Sequence, residues 1–571
     1  VQRVIAFGDV HGAAAELTAL LRAVGVVDQD LRWSAGTTHV VSLGDLLDRG
    51  SASRDVMELL MRLQQEASAA GGALHVVLGN HEAMNLLGDL RYVTPADFSA
   101  YEADEPAGLR ERLRADWVAR GGASPGAEFD RRFPRGFFGH RAAFASDGRY
   151  GRWLLGLPVA VVVDDTLFMH GGPSHPLAGL SLEEINGRYR SALAEYLAAL
   201  AALEGADLVH IEDSFDERAA LAEQRRGYTP GAAADAVRRF AAADRSELLG
   251  GDGPNWSRGA ALCHEASESD VLQPLLEGLG VERLVVGHTV AHGGRAASRF
   301  DGAVIKLDTG MNRAAYRGHP AAVLLENGAA RVMYADESGE PAAIPEEPLY
   351  VTPPELDDAT VAAVLARGEI AVGVQQRASG PVEVGVELEG RRVRASFVPA
   401  RGETLTKELA AYRLDRVLGL GLVPATVERA VNGQRGYLQA RPERSVSQAD
   451  VESQSLRPNG WCAVAPQLEL MYAFDALIGN QGRTRESILY DAEWMLLLTG
   501  HDRAFGTGRT LPRTPQTLAQ PPGAEMRRRL AALDAATLER AVGELLGERE
   551  RAALLARRDA LLARNPAPTR R

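Results

Sequence analysis

"VVLGNHEAMN", residues 76–85, is an apolar run that breaks at Gly79 and then presents Asn80, His81 and Glu82 in succession. An amide, an imidazole and a carboxylate are costly to leave beside a core without partners. The same design recurs upstream. "RVIAFGD" (3–9) ends on Asp9, with His11 following, and "HVVSLGD" (39–45) ends on Asp45 and runs on to Asp48 and Arg49. Between these runs lie "AAAELTALLRAV" and "RDVMELLMRLQQEA", whose apolar residues recur at helical spacing, so the chain starts β-α-β-α-β. Further on, "TLFMHGG" contributes His170 and "RLVVGHT" contributes His288. Ligands of α/β sheets collect beyond the carboxyl ends of the strands. Taken singly, a His or Asp after a strand is a loop or capping residue. As a set, these nitrogen and oxygen donors suit divalent cations.

The rest of the chain frames that reading. With 571 residues, 46% of them apolar, it is long enough for two or three well-packed domains. A net charge of −13 argues against a nucleic-acid partner. No apolar stretch of about 18 residues is present, so no membrane span is expected, and the compartment, cytoplasmic or periplasmic, stays open. Cys263 and Cys462 are the only cysteines. They are expected to be small buried apolar residues, with neither a disulfide framework nor a thiolate metal site.

Strand and helix patterns alternate from residue 1 to about 335, interrupted at about 91–140 by an aromatic, charged insertion that either caps a site or forms a peripheral helical layer. Proline and acid mark 336–358 as a linker. A second domain, 359–571, opens with strand alternation in "EVGVELEGRRVRASFV", turns helical at "KELAAYRLDRVLGLG" and ends in a tail whose arginines read as a solvated face.

"GDVHG", "GDLLDRG" and "GNHE", with "GNHEAMNLLGDLRYVTP", "DGPNWSRG" and residues 285–311, resemble the metallophosphoesterase superfamily, within it the phosphoprotein phosphatase family and its bacterial Shewanella-like branch. That resemblance implies a β-sandwich flanked by helices and a phosphomonoesterase, with two divalent or mixed-valence metal ions (Mn, Fe or Zn). It implies Asp9 and His11 on one metal, Asn80, His170 and His288 on the other, and Asp45 bridging both. Cations about 3.5 to 4 Å apart let a bridging water ionise and attack phosphorus in line. His81 would be the general acid, oriented by Asp48, while Arg49 and Arg258 hold the phosphate. Glu82 is left to pair with an arginine or to cap a helix. The expected substrate is a phosphorylated protein or peptide, or a small phosphoester; the oligomeric state is not indicated.

Residues 370–510, with "KELAAYRLDRVLGLGLVPATVER" and "FDALIGNQGRTRESILYDAEWMLLLTGHDRAFG", resemble the atypical kinase fold of HipA-type and secretory-pathway kinases, an α+β domain. Against that family's motifs Gly482 stands at the catalytic Asp, Ser487 at the following Asn and Gly500 at the metal-binding Asp. No lysine precedes Glu408 between residues 359 and 406, so a pseudokinase is expected. Rival readings are a dinucleoside polyphosphate hydrolase, a bifunctional phosphatase and kinase, and a binding protein with a vestigial metal site.

Overall fold

The computed structural model describes residues 1–119, 127–227, 231–337, 340–372, 381–512 and 521–564. Parts of the expected insertion (120–126), linker (338 and 339) and tail (565–571) lie outside the described residues. The chain divides into one unit of Val1–Ala261 with Gln273–Glu346 and a second of Leu262–Leu272 with Glu347–Arg571.

The first unit is a β-sandwich. Its larger sheet contains β1 (Arg3–Phe7), β2 (His39–Ser42), β3 (Ala73–Val76), β9 (Ala321–Glu326), β10 (Ala329–Tyr334) and β11 (Ala342–Ala343) in the order β11-β10-β9-β1-β2-β3. The second contains β4 (Ala160–Val163), β5 (Thr166–Met169), β6 (Arg283–Val286), β7 (Ala297–Arg299) and β8 (Val304–Lys306) in the order β4-β5-β6-β8-β7. β1, β2 and β3 are mutually parallel, as are β5, β6 and β8. Val4, Ala6, Val41 and Leu43 of one sheet meet Phe168, Val285 and Ile305 of the other in a shared core. The opposite faces are also covered, so Ile5 and Phe7 are as buried as Val4 and Ala6. Burial on both faces explains why these strands read as continuous apolar runs.

Helices α1 (Ala14–Ala23) and α2 (Ser53–Ala69) connect the first three strands, and α3 (Asn80–Leu87) follows β3. The insertion after α3 is helical, with a core of Phe98, Phe129, Phe133, Phe137 and Phe138. Its first residues touch the loop after β2: Tyr92 accepts from the Arg49 N–H at 3.0 Å, and Thr94 Oγ1 donates to Gly50 O at 2.8 Å. In the stretch expected as a linker, β11 extends the larger sheet, and Asp357 caps the helix Asp358–Arg367.

The second unit is α+β. An antiparallel sheet of β12 (Glu369–Val372), β13 (Val382–Leu388), β14 (Arg391–Pro399), β15 (Thr426–Val431) and β16 (Gln434–Ala440) runs in the order β12-β13-β14-β16-β15. Three short strands and the helices Gly402–Leu418, Val464–Ile478 and Glu548–Leu562 complete it around a large apolar core.

Three expectations need correction here. Cys263 and Cys462 are buried, at 0% and 2% exposure, but they form a disulfide with Cα atoms 5.5 Å apart. Separated by 199 residues, they carry no local signal of pairing. The segment Leu262–Leu272, which lies within the expected first domain, belongs to the second unit and brings Cys263 to Cys462. The tail arginines are not all a solvated face either. Arg557 is 2% exposed and donates to the carbonyls of Leu477, Gly506 and Gly508.

Candidate active site

Gly79 ends β3's run because nothing larger fits: a Cβ there would lie 2.3 Å from Asp45 Oδ1 and 2.6 Å from Glu82 Oε2. The chain then enters α3 with Asn80, His81 and Glu82 on its first turn, all buried. Glu82 is the residue whose importance the sequence did not show. Its carboxylate accepts from the N–H groups of Gly79, Asp45 and Leu46, each at 2.8 Å, and so ties the start of α3 to the loop after β2. Burial, with the charge of Asp45, pushes Glu82 up to about 7.

The site is built on strained backbone. His11, Asp45, Asp48, Arg49 and His288 have φ of +49°, +50°, +70°, +63° and +61°. Non-glycine residues rarely adopt that region, and each instance costs about 1–3 kcal/mol.

Asp45 lies at the centre. His170 Nε2 is 3.3 Å from its Oδ1, and His11 Nε2 and His81 Nε2 lie 3.7 and 3.8 Å from its Oδ2. Among the described residues, the groups able to hold a cation are His11, Asp45 and His81 on one side and Asp45, His170 and His288 on the other. Asp45 is common to both. Asp9 lies 3.9 Å from His11 and accepts from the His288 N–H at 3.0 Å. Asn80 Oδ1 is 2.9 Å from His170 Nε2. The structure therefore brings together all six residues expected as ligands. Asp308, beside Asp9, is a further buried carboxylate that the sequence reading passed over.

The donor set fits divalent cations. Nδ1 of His11 bonds Leu47 O at 2.9 Å and Nδ1 of His170 bonds Leu43 O at 2.8 Å, which leaves both Nε2 atoms facing Asp45. Backbone carbonyls commonly orient metal-ligating imidazoles in this way. Burial pushes Asp9 and Asp308 above the usual carboxylate range. Burial also acts on Asp45, but His170 and His81 outweigh it and hold Asp45 well below that range. His11 falls to about 3 because it is desolvated, whereas Asp45 and Asp9 overcome burial and push His170 up to about 10. A cluster of buried carboxylates that recruits positive charge is suited to metal ions.

His81 Nδ1 meets Asp48 Oδ2 at 2.6 Å. Asn85, one turn along α3, donates to both Asp48 oxygens at 3.1 and 3.2 Å, a contact no motif announced. Burial opposes protonation of His81, but Asp45 and the Asp48 hydrogen bond raise it above the usual imidazole value. The Arg49 guanidinium lies between Tyr92 and Tyr316, at 4.8 and 5.3 Å from the ring centroids. Arg258 Nη1 donates to His288 O at 2.9 Å and Thr289 Oγ1 at 3.0 Å, so it too is placed at the site.

A sandwich whose parallel strand ends converge on buried Asp, Asn and His donors defines a metal-dependent phosphoesterase. The profile of the Calcineurin-like phosphoesterase family matches residues 2–292, and the chain belongs to that family. It is 27% identical over 341 residues to Shewanella-like protein phosphatase 2 of Arabidopsis thaliana, covering 56% of this chain and 74% of that one. An uncharacterized Schizosaccharomyces pombe protein is 29% identical over 323 residues, covering 56% of this chain and 75% of its own. Among solved structures, the cold-active protein-tyrosine phosphatase of a psychrophilic Shewanella is 26% identical with a TM-score of 0.39, covering 60% of this chain and 80% of that one. Among the described residues, no helix is long and apolar enough to cross a membrane.

Proposed function

We propose that the first unit is a phosphomonoesterase of the phosphoprotein phosphatase type, with two divalent cations sharing Asp45. The observation that carries this reading is the position of Asp45 as the common member of two buried donor groups. The plant relative named a protein phosphatase supports a phosphorylated protein or peptide as substrate. Asp9 and His11 would complete one cation site, and Asn80, His170 and His288 the other. When bound, the cations supply positive charge that polarises the phosphoryl oxygens and makes water acidic enough to act as a nucleophile.

The chain's own groups do the rest. Arg49, braced between two tyrosines, and Arg258, anchored on the His288 carbonyl, bind phosphate oxygens through their N–H groups. His81 gives the proton on Nε2 to the leaving alcohol oxygen. Asp48 accepts the Nδ1 proton, which fixes the ring and favours its charged form. The direct test is Asp45→Asn with metal content and aryl phosphate turnover measured together. Loss of both is expected; full metal occupancy with normal turnover would refute the shared-ligand reading.

For the second unit the reading is a kinase-like domain without phosphotransfer activity. Asp475 and Asp502 lie close to the altered motif; Asp502 is exposed, and Asp475 is held by Arg483 at 2.7 and 2.8 Å and by Asn480 at 3.2 Å. Glu408, a buried helix carboxylate, accepts from the His501 backbone N–H at 2.6 Å and lies 3.1 Å from His501 Nδ1. Such a domain would contribute binding, positioning phosphorylated substrates for the first unit.

A further inference from the structure

Behind the last turn of α3 the first unit contains a cavity of about 870 Å³. Phe133 and Phe137 of the insertion, Leu197 and Leu200 of the helix Leu182–Gly205, and Ile211 form its apolar wall. Cavities of about 300–1,000 Å³ with apolar walls and a few convergent polar groups are the usual form of small-molecule sites.

The convergent groups are Arg141 and Arg218. Arg141 Nη1 donates to Asn85 O at 2.6 Å, and Arg218 donates to Leu87 O at 2.6 Å and Gly88 O at 3.4 Å. Capping the carbonyl end of a helix is a sufficient structural role for one cation. The two arginines cap different carbonyls of that helix end, but this does not use up their N–H groups. Arg218 is 7% exposed, and its buried Nε makes no hydrogen bond among the described residues. Burial, together with the neighbouring Arg218 charge, pulls Arg141 down to about 10 against the opposing charge of Glu204.

Glu204 is the carboxylate whose charge reaches both arginines, and Asp244 acts on Arg218 as well. Of the other lining carboxylates, Asp89 and Asp216 pair with Arg91, and Asp213 pairs with Arg225. Glu217 accepts from Ser214 Oγ.

We propose that this cavity binds an amphipathic organic carboxylate, its head on Arg218 and Arg141 and its apolar body along Phe133, Phe137, Leu197 and Leu200. A planar carboxylate matches the guanidinium fork, and the aromatic and aliphatic wall rewards an apolar tail. The site is separate from the metal-ligand cluster, and neither reading depends on the other.

Isothermal titration of the full chain with decanoate, decanol and inorganic phosphate tests it, with decanoate below its micelle concentration. Saturable binding of one decanoate per chain is expected, with decanol and phosphate each at least about tenfold weaker, because one lacks the charge and the other the tail. Arg218→Gln should weaken decanoate about tenfold or more. Should that variant unfold, Ile211→Trp fills the cavity from its edge and must weaken decanoate as well. No saturable binding, equal binding of decanoate and decanol, phosphate binding as tight as decanoate, or decanoate binding untouched by Ile211→Trp would each overturn the proposal.

Discussion

Nδ1 of His81 lies 2.6 Å from Oδ2 of Asp48, with both side chains 2% exposed. A contact this short between a buried imidazole and a carboxylate orients the ring and leaves Nε2 directed at Asp45. His81→Asn should therefore lower kcat by about 10²- to 10⁴-fold while metal content stays normal. The loss should be smaller for aryl phosphates, whose leaving groups need little protonation, than for alkyl phosphates. Equal losses on both substrates, or loss of metal, would contradict the general-acid role.

Asn85 extends that pair, since it donates to both Asp48 oxygens. A hydrogen bond to a charged group contributes about 1.5–3 kcal/mol, so Asn85→Ala should cost about 10- to 100-fold in kcat for alkyl phosphates, with KM nearly unchanged. A purely structural role would instead lower Tm without that dependence on the leaving group.

Glu82 accepts three backbone N–H groups from two loops. Glu82→Gln turns an N–H₂ group toward at least one of those donors. The expected cost is about 1–3 kcal/mol in stability, seen as a lower Tm, together with weaker metal affinity because the Asp45 loop loses its anchor. Unchanged Tm and metal affinity would mean that the anchor is redundant.

Much of the first unit was legible because its chemistry is local. Asp9, Asp45 and Asn80 each follow an apolar run directly, and the short spacings to His11, Asp48 and His81 survive as readable motifs. Glu82 and Asn85 sat within those motifs, and the cap that Glu82 places on Gly79 was among the readings the sequence offered, yet their partners Asp45 and Asp48 are 37 residues away, beyond any spacing rule. Tyr316 reaches Arg49 across the fold by a ring contact that leaves no pattern at all. The disulfide was invisible for the same reason. Long-range pairing depends on where Leu262–Leu272 packs, and that is a property of the fold rather than of its neighbours in sequence.

Removal of metal should act on stability as well as on turnover. Asp9, Asp45 and Asp308 are buried together, and a cation bound only to the folded state stabilises it by about 2.7 kcal/mol at a hundredfold excess over Kd. Chelator-treated protein should lose aryl phosphate hydrolysis, and Mn²⁺ or Zn²⁺ should restore activity and raise the Tm in a concentration-dependent way. Restored activity without any Tm shift would place the cation elsewhere.

The Cys263–Cys462 bond joins two segments of the second unit that stand 199 residues apart in sequence. Removing a native disulfide typically costs about 2–5 kcal/mol. Cys462→Ser should lower the unfolding transition of the second unit, followed by calorimetry, whereas an unchanged thermogram would show that the surrounding core suffices.

The final prediction concerns Asp475 and Arg483. The Asp475 and Arg483 side chains are 9% and 11% exposed and bonded at 2.7 Å, so Asp475, one of two carboxylates with Asp502 near the missing motif, is neutralised by a guanidinium. Phosphoryl transfer needs a free carboxylate to receive the hydroxyl proton and others to hold magnesium, and Gly482, Ser487 and Gly500 supply none of these. The full chain should therefore transfer no labelled phosphate from ATP to itself or to a mixed peptide library. Asp475→Ala should unfold the second unit more easily, by about 3–5 kcal/mol, because it leaves Arg483 buried without its counter-charge. A structural ion pair predicts loss of stability with no activity to lose. ATP-dependent labelling abolished by Asp475→Ala would instead make the second unit an active kinase.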